Sequence, residues 1–79
     1  MKEIKDLDKW LYNKHSINYA CCNYEEEEDL KKVEYKSNDI VEWYYDYKIK
    51  LRGNNVINLI KVIEEDITTN DYKIRIYES

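Results

Sequence analysis

From Ile40 to Arg52 the chain alternates: Val41, Trp43, Tyr45, Tyr47, Ile49 and Leu51 interleave with Glu42, Tyr44, Asp46, Lys48, Lys50 and Arg52. Successive side chains of a strand point to opposite faces, so this pattern reads as one long strand, apolar on one side and wet on the other. Its aromatic and β-branched residues suit a pleated, half-buried surface. Any fold for this chain must therefore supply a sheet around residues 40–52 and a layer over its apolar face.

The flanking segments suggest how that happens. Residues 3–14 read as a helix, with Ile4, Leu7 and Leu11 at i, i+3 and i+7 and Trp10 widening the stripe. Glu3, Asp6 and Asp8 crowd its first turns, where the helix dipole favours anions. Ile17 to Tyr24 reads as a strand. The run Glu25 to Asp29 reads as a hairpin tip, with a helical turn over Glu26–Lys32 as the alternative. Val33 to Lys36 is expected to be a strand and Ser37-Asn38-Asp39 a turn.

After residue 52, Gly53-Asn54-Asn55 breaks the long strand, and one Asn can cap a helix. That helix is expected over Val56 to Ile67, with Val56, Leu59, Ile60, Ile63 and Ile67 as its buried stripe and Thr68 to Asp71 closing it. Tyr72 to Glu78 alternates again, with Tyr72, Ile74 and Ile76 inward. The expected fold is α+β in the order α-β-β-β-α-β: two helices packed on one face of a four-stranded antiparallel or mixed sheet. The last strand would lie parallel to the third through a right-handed crossover.

Seventy-nine residues allow one domain, 1–79, and a chain of this size buries only about 60% of its unfolded surface. An apolar content of 43% is too high for disorder, and one Gly with no Pro excludes flexible low-complexity segments. The charged start Met1 to Asp6 lacks the apolar run of a secretory signal, and no stretch approaches the roughly 20 apolar residues of a membrane span. Adjacent Cys21 and Cys22 would strain a mutual disulfide; as free thiols they fit a reducing compartment. The expectation is a cytoplasmic protein without a membrane partner.

Charge is unevenly spread. Residues 23–46 hold nine acids against three Lys, whereas the segments on either side each carry a balance of +1, so the whole excess of the -4 chain lies in the middle third. Eight of those nine acids, Glu25, Glu26, Glu27, Glu28, Asp29, Glu34, Glu42 and Asp46, cluster on or near one end of the expected sheet, and Tyr44 sits among them on the wet face of the long strand. These nine residues are the candidate partner-binding surface. Glu42, Tyr44 and Asp46 recur about every 6.6 Å along a strand, a spacing of the order of that between phosphates, so they could compete with nucleic acid for a basic channel. The alternative is a solvated acidic face that aids solubility.

Catalytic constellations are thin. His15, Cys21 and Cys22 lack a fourth ligand at zinc spacing, and the acidic run lacks the alternating ligands and central Gly of a calcium loop. A Cys22–His15 nucleophile pair has no third group to orient it. Carboxylate-x-Lys triplets such as Asp46-Tyr47-Lys48 are expected by chance in so charged a chain. Neither catalysis, nor metal, nor cofactor is expected. Double-stranded-RNA-binding domains share the order α-β-β-β-α, but the start of the second helix there is basic and here reads Asn54, Asn55, Val56, Ile57, Asn58. Direct nucleic-acid binding is not expected.

In size, acidity, Tyr-rich strands and lack of catalytic motifs, the chain resembles the small phage-encoded anti-CRISPR proteins. That resemblance implies a non-enzymatic inhibitor acting in the host cell. Its carboxylates would substitute for phosphates on a CRISPR-Cas effector or another nucleic-acid-binding host protein. The second reading is an antitoxin-like or assembly module, monomer or homodimer, that pairs through an exposed edge strand at Tyr72 to Tyr77.

Overall fold

The computed structural model describes residues 2–16, 24–51 and 55–79. Its elements are β1 (Glu3–Ile4), α1 (Leu7–His15), β2 (Glu25–Tyr35), β3 (Ile40–Lys50), β4 (Val56–Asp66) and β5 (Tyr72–Glu78). The strands form one sheet in the order β1-β5-β4-β3-β2, and every pairing is antiparallel. The expected two helices on a four-stranded sheet are therefore replaced by one short helix on five strands. No parallel crossover exists among the described residues.

The largest correction is β4. Its apolar residues satisfy both periods: Val56, Leu59, Ile60 and Ile63 make a helical stripe, while Ile57, Leu59 and Ile63 alternate as on a strand. Lys61 interrupts the alternation, which favours the helical period in the local sequence. Val56, Ile57, Ile60, Val62 and Ile63 are β-branched, however, and lose rotamer freedom in a helix. Pairing with β3 settles the ambiguity, in unbroken register from Ile40↔Asp66 to Lys50↔Val56. The turn between them is closed by Leu51 N–H donating to Asn55 O at 2.9 Å.

The acidic run is not a hairpin tip either. Glu25 to Asp29 begins β2, which continues without interruption to Tyr35 and absorbs the separate strand expected from Val33. Glu is a poor strand former. Here Glu25 and Glu27 lie directly across from Lys50 and Lys48, opposite charges that favour the pairing. A bulge at Lys31 lets Leu30 and Val33 face the same side despite their odd separation.

The N-terminal helix is shorter than expected. Glu3 and Ile4 leave it to pair with Tyr77 and Ile76 of β5. Asp6, extended at φ -132°, caps α1 by accepting the Lys9 N–H at 3.1 Å, and Ser16 ends it in the left-handed region at φ 57°. His15 is its last residue, one beyond the expected end. Strands β3 and β5 fall where alternation placed them, and Ser37-Asn38-Asp39 turns as expected, with Ser37 Oγ accepting the N–H groups of Asp39 and Ile40. The turn at Thr68–Asp71 joins β4 to β5 rather than closing a helix. Asp66 Oδ1 accepts from Thr68 N, Thr68 Oγ1 and Thr69 N there, and these bonds hold its carboxyl below the usual aspartate range. The expected strand Ile17–Tyr24, with Cys21 and Cys22, lies outside the described residues apart from Tyr24.

Residues opposite one another in register share a face. Tyr47, Ile49, Ile57 and Leu59 share the face on which α1 lies, and with Ile4 and Leu11 they form the core. That core occupies one end of the sheet only.

Candidate functional site

The nine candidate residues divide by strand parity. Glu25, Glu27, Asp29, Glu34, Glu42, Tyr44 and Asp46 lie on the face away from α1, while Glu26 and Glu28 point to the helix side. Strand β2 is an edge strand, paired only with β3 among the described residues. Five carboxylates in five extended residues place one charge per about 3.3 Å of strand, close to the 3.4 Å per phosphate of one nucleic-acid strand. A turn would have bunched them; the strand spaces them along its axis, Glu25, Glu27 and Asp29 on one face and Glu26 and Glu28 on the other.

Part of that run is engaged within the chain. Glu26 accepts the Tyr47 hydroxyl at 2.6 Å, Glu27 meets Lys50 Nζ at 2.7 Å, and Glu28 pairs with Lys61. The Lys50 hydrogen bond, then its charge and that of Lys48, lowers the Glu27 pKa. Asp46 pairs with Lys31 at 3.1 Å. Among the described residues, Glu25 and Asp29 make no ion pair, and Asp29 stands directly across from Asp46, a like-charge pair.

The remaining candidates form a separate cluster toward the middle of the sheet. Glu42 is 6% exposed, not on a wet surface as alternation alone suggests. It accepts the Tyr44 hydroxyl at 2.7 Å and lies 3.4 Å from Lys36 Nζ and 3.8 Å from Arg75 Nη1. Glu34 meets Lys36 at 3.3 Å and Lys32 at 3.6 Å, and the Lys36 hydrogen bond lowers its pKa. Tyr44 carries Lys32 Nζ 4.5 Å above its ring, and its hydroxyl is pushed up by the bond to Glu42 and then by burial. This cluster closes on itself. Glu42 and Tyr44 organise the face rather than reach from it.

The cations interleaved with the acids are what reading the acids alone missed: Lys31, Lys36, Lys50, Lys61 and Arg75. A signal existed for one of them, since Lys50, with Lys48, repeats with the same period as Glu25 and Glu27. Lys61 and Arg75 come from strands whose order no local pattern reveals.

A cleft of about 540 Å³ opens beside α1, with Trp10, His15, Asn58 and Glu78 in its wall. Glu78 there is held by Lys14 Nζ at 2.8 Å and Trp10 Nε1 at 3.3 Å, and the Trp10 and His15 rings meet edge to face. Among the described residues no group of three His, Cys, Asp or Glu is placed to hold a metal ion. No described helix is long and apolar enough to cross a membrane. No protein-family model, curated protein or solved structure matches the chain.

The paired carboxylates make stability depend on acid. Glu27, Glu34 and Glu78 have folded pKa values below their ordinary range, so they bind protons less readily folded than unfolded. Their contribution is complete above the ordinary glutamate value of about 4.3 and is lost as pH falls through the lowered values. Lys36 and Lys50 are raised, so their contribution is complete below about 10.4 and lost as pH rises through the folded values. Melting temperature should be level between these limits and drop on both sides. In Glu27→Gln the acid-side drop should be smaller, and an equal drop in both proteins would remove Glu27 from the account.

Proposed function

We propose that the chain is a non-enzymatic binding protein whose acidic edge strand β2 occupies a basic, nucleic-acid-binding surface of another protein. The single observation that supports this reading is the extended Glu25–Asp29 run on an open sheet edge, at the linear charge density of a nucleic-acid strand. Exposed ion pairs contribute little to stability, so Lys50 can be exchanged for a partner's arginine at small cost. Within this reading, a CRISPR-Cas effector of the host cell is the specific partner that the resemblance to anti-CRISPR proteins suggests.

Competition decides it. Each of a panel of guide-loaded effector nucleases, holding labelled duplex DNA, is titrated with the protein and the displaced DNA is measured. Displacement by the wild type is expected for one of them, weakening as salt rises. Glu25→Lys with Asp29→Lys should weaken it on the order of 100-fold. Neither position makes an ion pair among the described residues; Asp29→Lys replaces the Asp29–Asp46 repulsion by an attraction, whereas Glu25→Lys sets two lysines across from each other at Lys50, so the variant is compared only once its circular dichroism matches the wild type. Equal displacement by the variant would sink the acidic-strand reading.

The edge-strand reading keeps a narrower basis. Strand β1 covers Ile76 and Tyr77, leaving only Tyr72 to Arg75 of β5 open for strand addition among the described residues.

A further inference from the structure

Among the described residues no element covers the half of this face beyond α1, although Val41 within it is buried at 2% exposure. Helix α1 lies over the rows Tyr47–Leu59 and Ile49–Ile57. The same face continues through three more rows: Tyr45–Lys61, Trp43–Ile63 and Val41–Glu65. Strands β2 and β5 extend the Trp43–Ile63 row with Val33 and Ile74, and the Val41–Glu65 row with Tyr35 and Tyr72. Leu30, Val33, Tyr35, Tyr72 and Ile74 are 39% to 75% exposed.

We propose that this half-face seats a second copy of the chain, sheet against sheet, in a two-fold dimer. The area suits it. With half-buried Trp43, Tyr45 and Ile63, the patch leaves on the order of 600 Å² of side chain open, much of it aromatic rings of about 200 Å² each. Two such faces bury about 1,200 Å² in all, which reaches the range of specific interfaces.

Charge suits it too. The chain is acidic, but these three rows hold one Lys and one Glu: Lys61 one row to one side of Trp43–Ile63 and Glu65 one row to the other. A two-fold axis lying in the interface, across the strands at the Trp43–Ile63 row, inverts the order of rows in the second copy. Glu65 of each copy then stands over Lys61 of the other, whose ammonium would be shared with Glu28 of its own chain, and Tyr35 stands over Leu30. Apolar residues meet apolar ones in every other position of the three rows except where Lys61 and Glu65 pair. Each α1 falls beyond the end of the opposite sheet, which leaves the sheets free to approach to about 10 Å. Pairing through the β2 edges is the poorer route to self-association, because it brings two acidic runs together.

Sedimentation equilibrium over about 1–100 µM tests the dimer and should approach twice the 9.8 kDa chain mass. Ile74→Lys and Tyr72→Lys, both at exposed sites, should each weaken it on the order of 100-fold while circular dichroism stays that of the wild type. Glu65→Lys and Lys61→Glu should each weaken it about 10-fold, and mixing the two variants should restore it. A wild type of single mass at about 100 µM overturns the proposal and leaves the face to a different partner. So does a dimer that survives both exposed substitutions, or weakened Glu65 and Lys61 variants that fail to recover on mixing. Since the β2 variants leave these rows intact, failure of the dimer and failure of the acidic-strand function are read separately.

Discussion

Leu11→Ala should lower the free energy of unfolding by about 3 kcal/mol and the melting temperature by on the order of 10–20 °C. Leu11 is the one residue of α1 that is fully enclosed, at 0% exposure, and it packs among Ile4, Tyr47, Ile49, Ile57 and Leu59. The nine-residue helix is too short to hold itself together in water, so its order depends on this contact. Truncation removes the transfer free energy of the side chain and leaves a cavity that the rigid sheet beneath cannot fill. Urea unfolding measures the cost. Tyr12→Ala, at an exposed position on the same helix, should stay within about 0.5 kcal/mol of wild type. A Leu11→Ala cost below about 1 kcal/mol would mean that α1 does not rest on the sheet as described.

Lys48→Pro should be comparably damaging, at about 3 kcal/mol or more, although it removes no core side chain. Lys48 sits mid-strand in β3, opposite Glu27 of β2 and Asn58 of β4. A strand paired on both sides has no open edge toward which proline can direct its missing N–H, and the fixed φ distorts the pleat as well. Lys48→Thr retains the N–H and suits a strand, so it should fall within about 0.5 kcal/mol of wild type. A folded, undiminished Lys48→Pro protein would contradict the placement of β3 between two partners. The comparison isolates the hydrogen-bonded ladder from the side chain.

Both results bear on how the sheet came to be underestimated. Strand β3 was legible because Val41, Trp43, Tyr45, Tyr47 and Ile49 fit a period of two and no other. Strand β5 was legible for the same reason, and the Ser37-Asn38-Asp39 turn from its residue types. Strand β4 was not, because Leu59, Ile60 and Ile63 fit both periods and Lys61 stands where strict alternation asks for an apolar residue. The structure gives Lys61 a partner in Glu28, two strands away, which no window of neighbouring residues contains.

The candidate site was legible in composition and not in geometry. That Glu25 to Asp29 carries the excess charge follows from counting. That the run is extended along a sheet edge follows from Lys48 and Lys50 lying across from it. Glu42 shows the reverse error: alternation puts it on the wet face, yet Tyr44, Lys36 and Arg75 close around it. Alternation identifies a face; what covers that face depends on other strands.

The sequence by itself determined a long strand beginning at residue 40, a helix around Leu7, Trp10 and Leu11, and the acidity of the middle third. Each rests on local repetition or on counts, and these survive whatever the remainder of the chain does. The tertiary structure alone decided that residues 56–66 are a strand, that the acidic run is extended and partly neutralised, and that among the described residues α1 covers only half of one sheet face. The physical reason is that β pairing is non-local: a segment with mixed periodicity takes the form that satisfies its neighbour's hydrogen bonds. Here the neighbour is β3, and its demand for a partner on each side made strands of the segments before and after it.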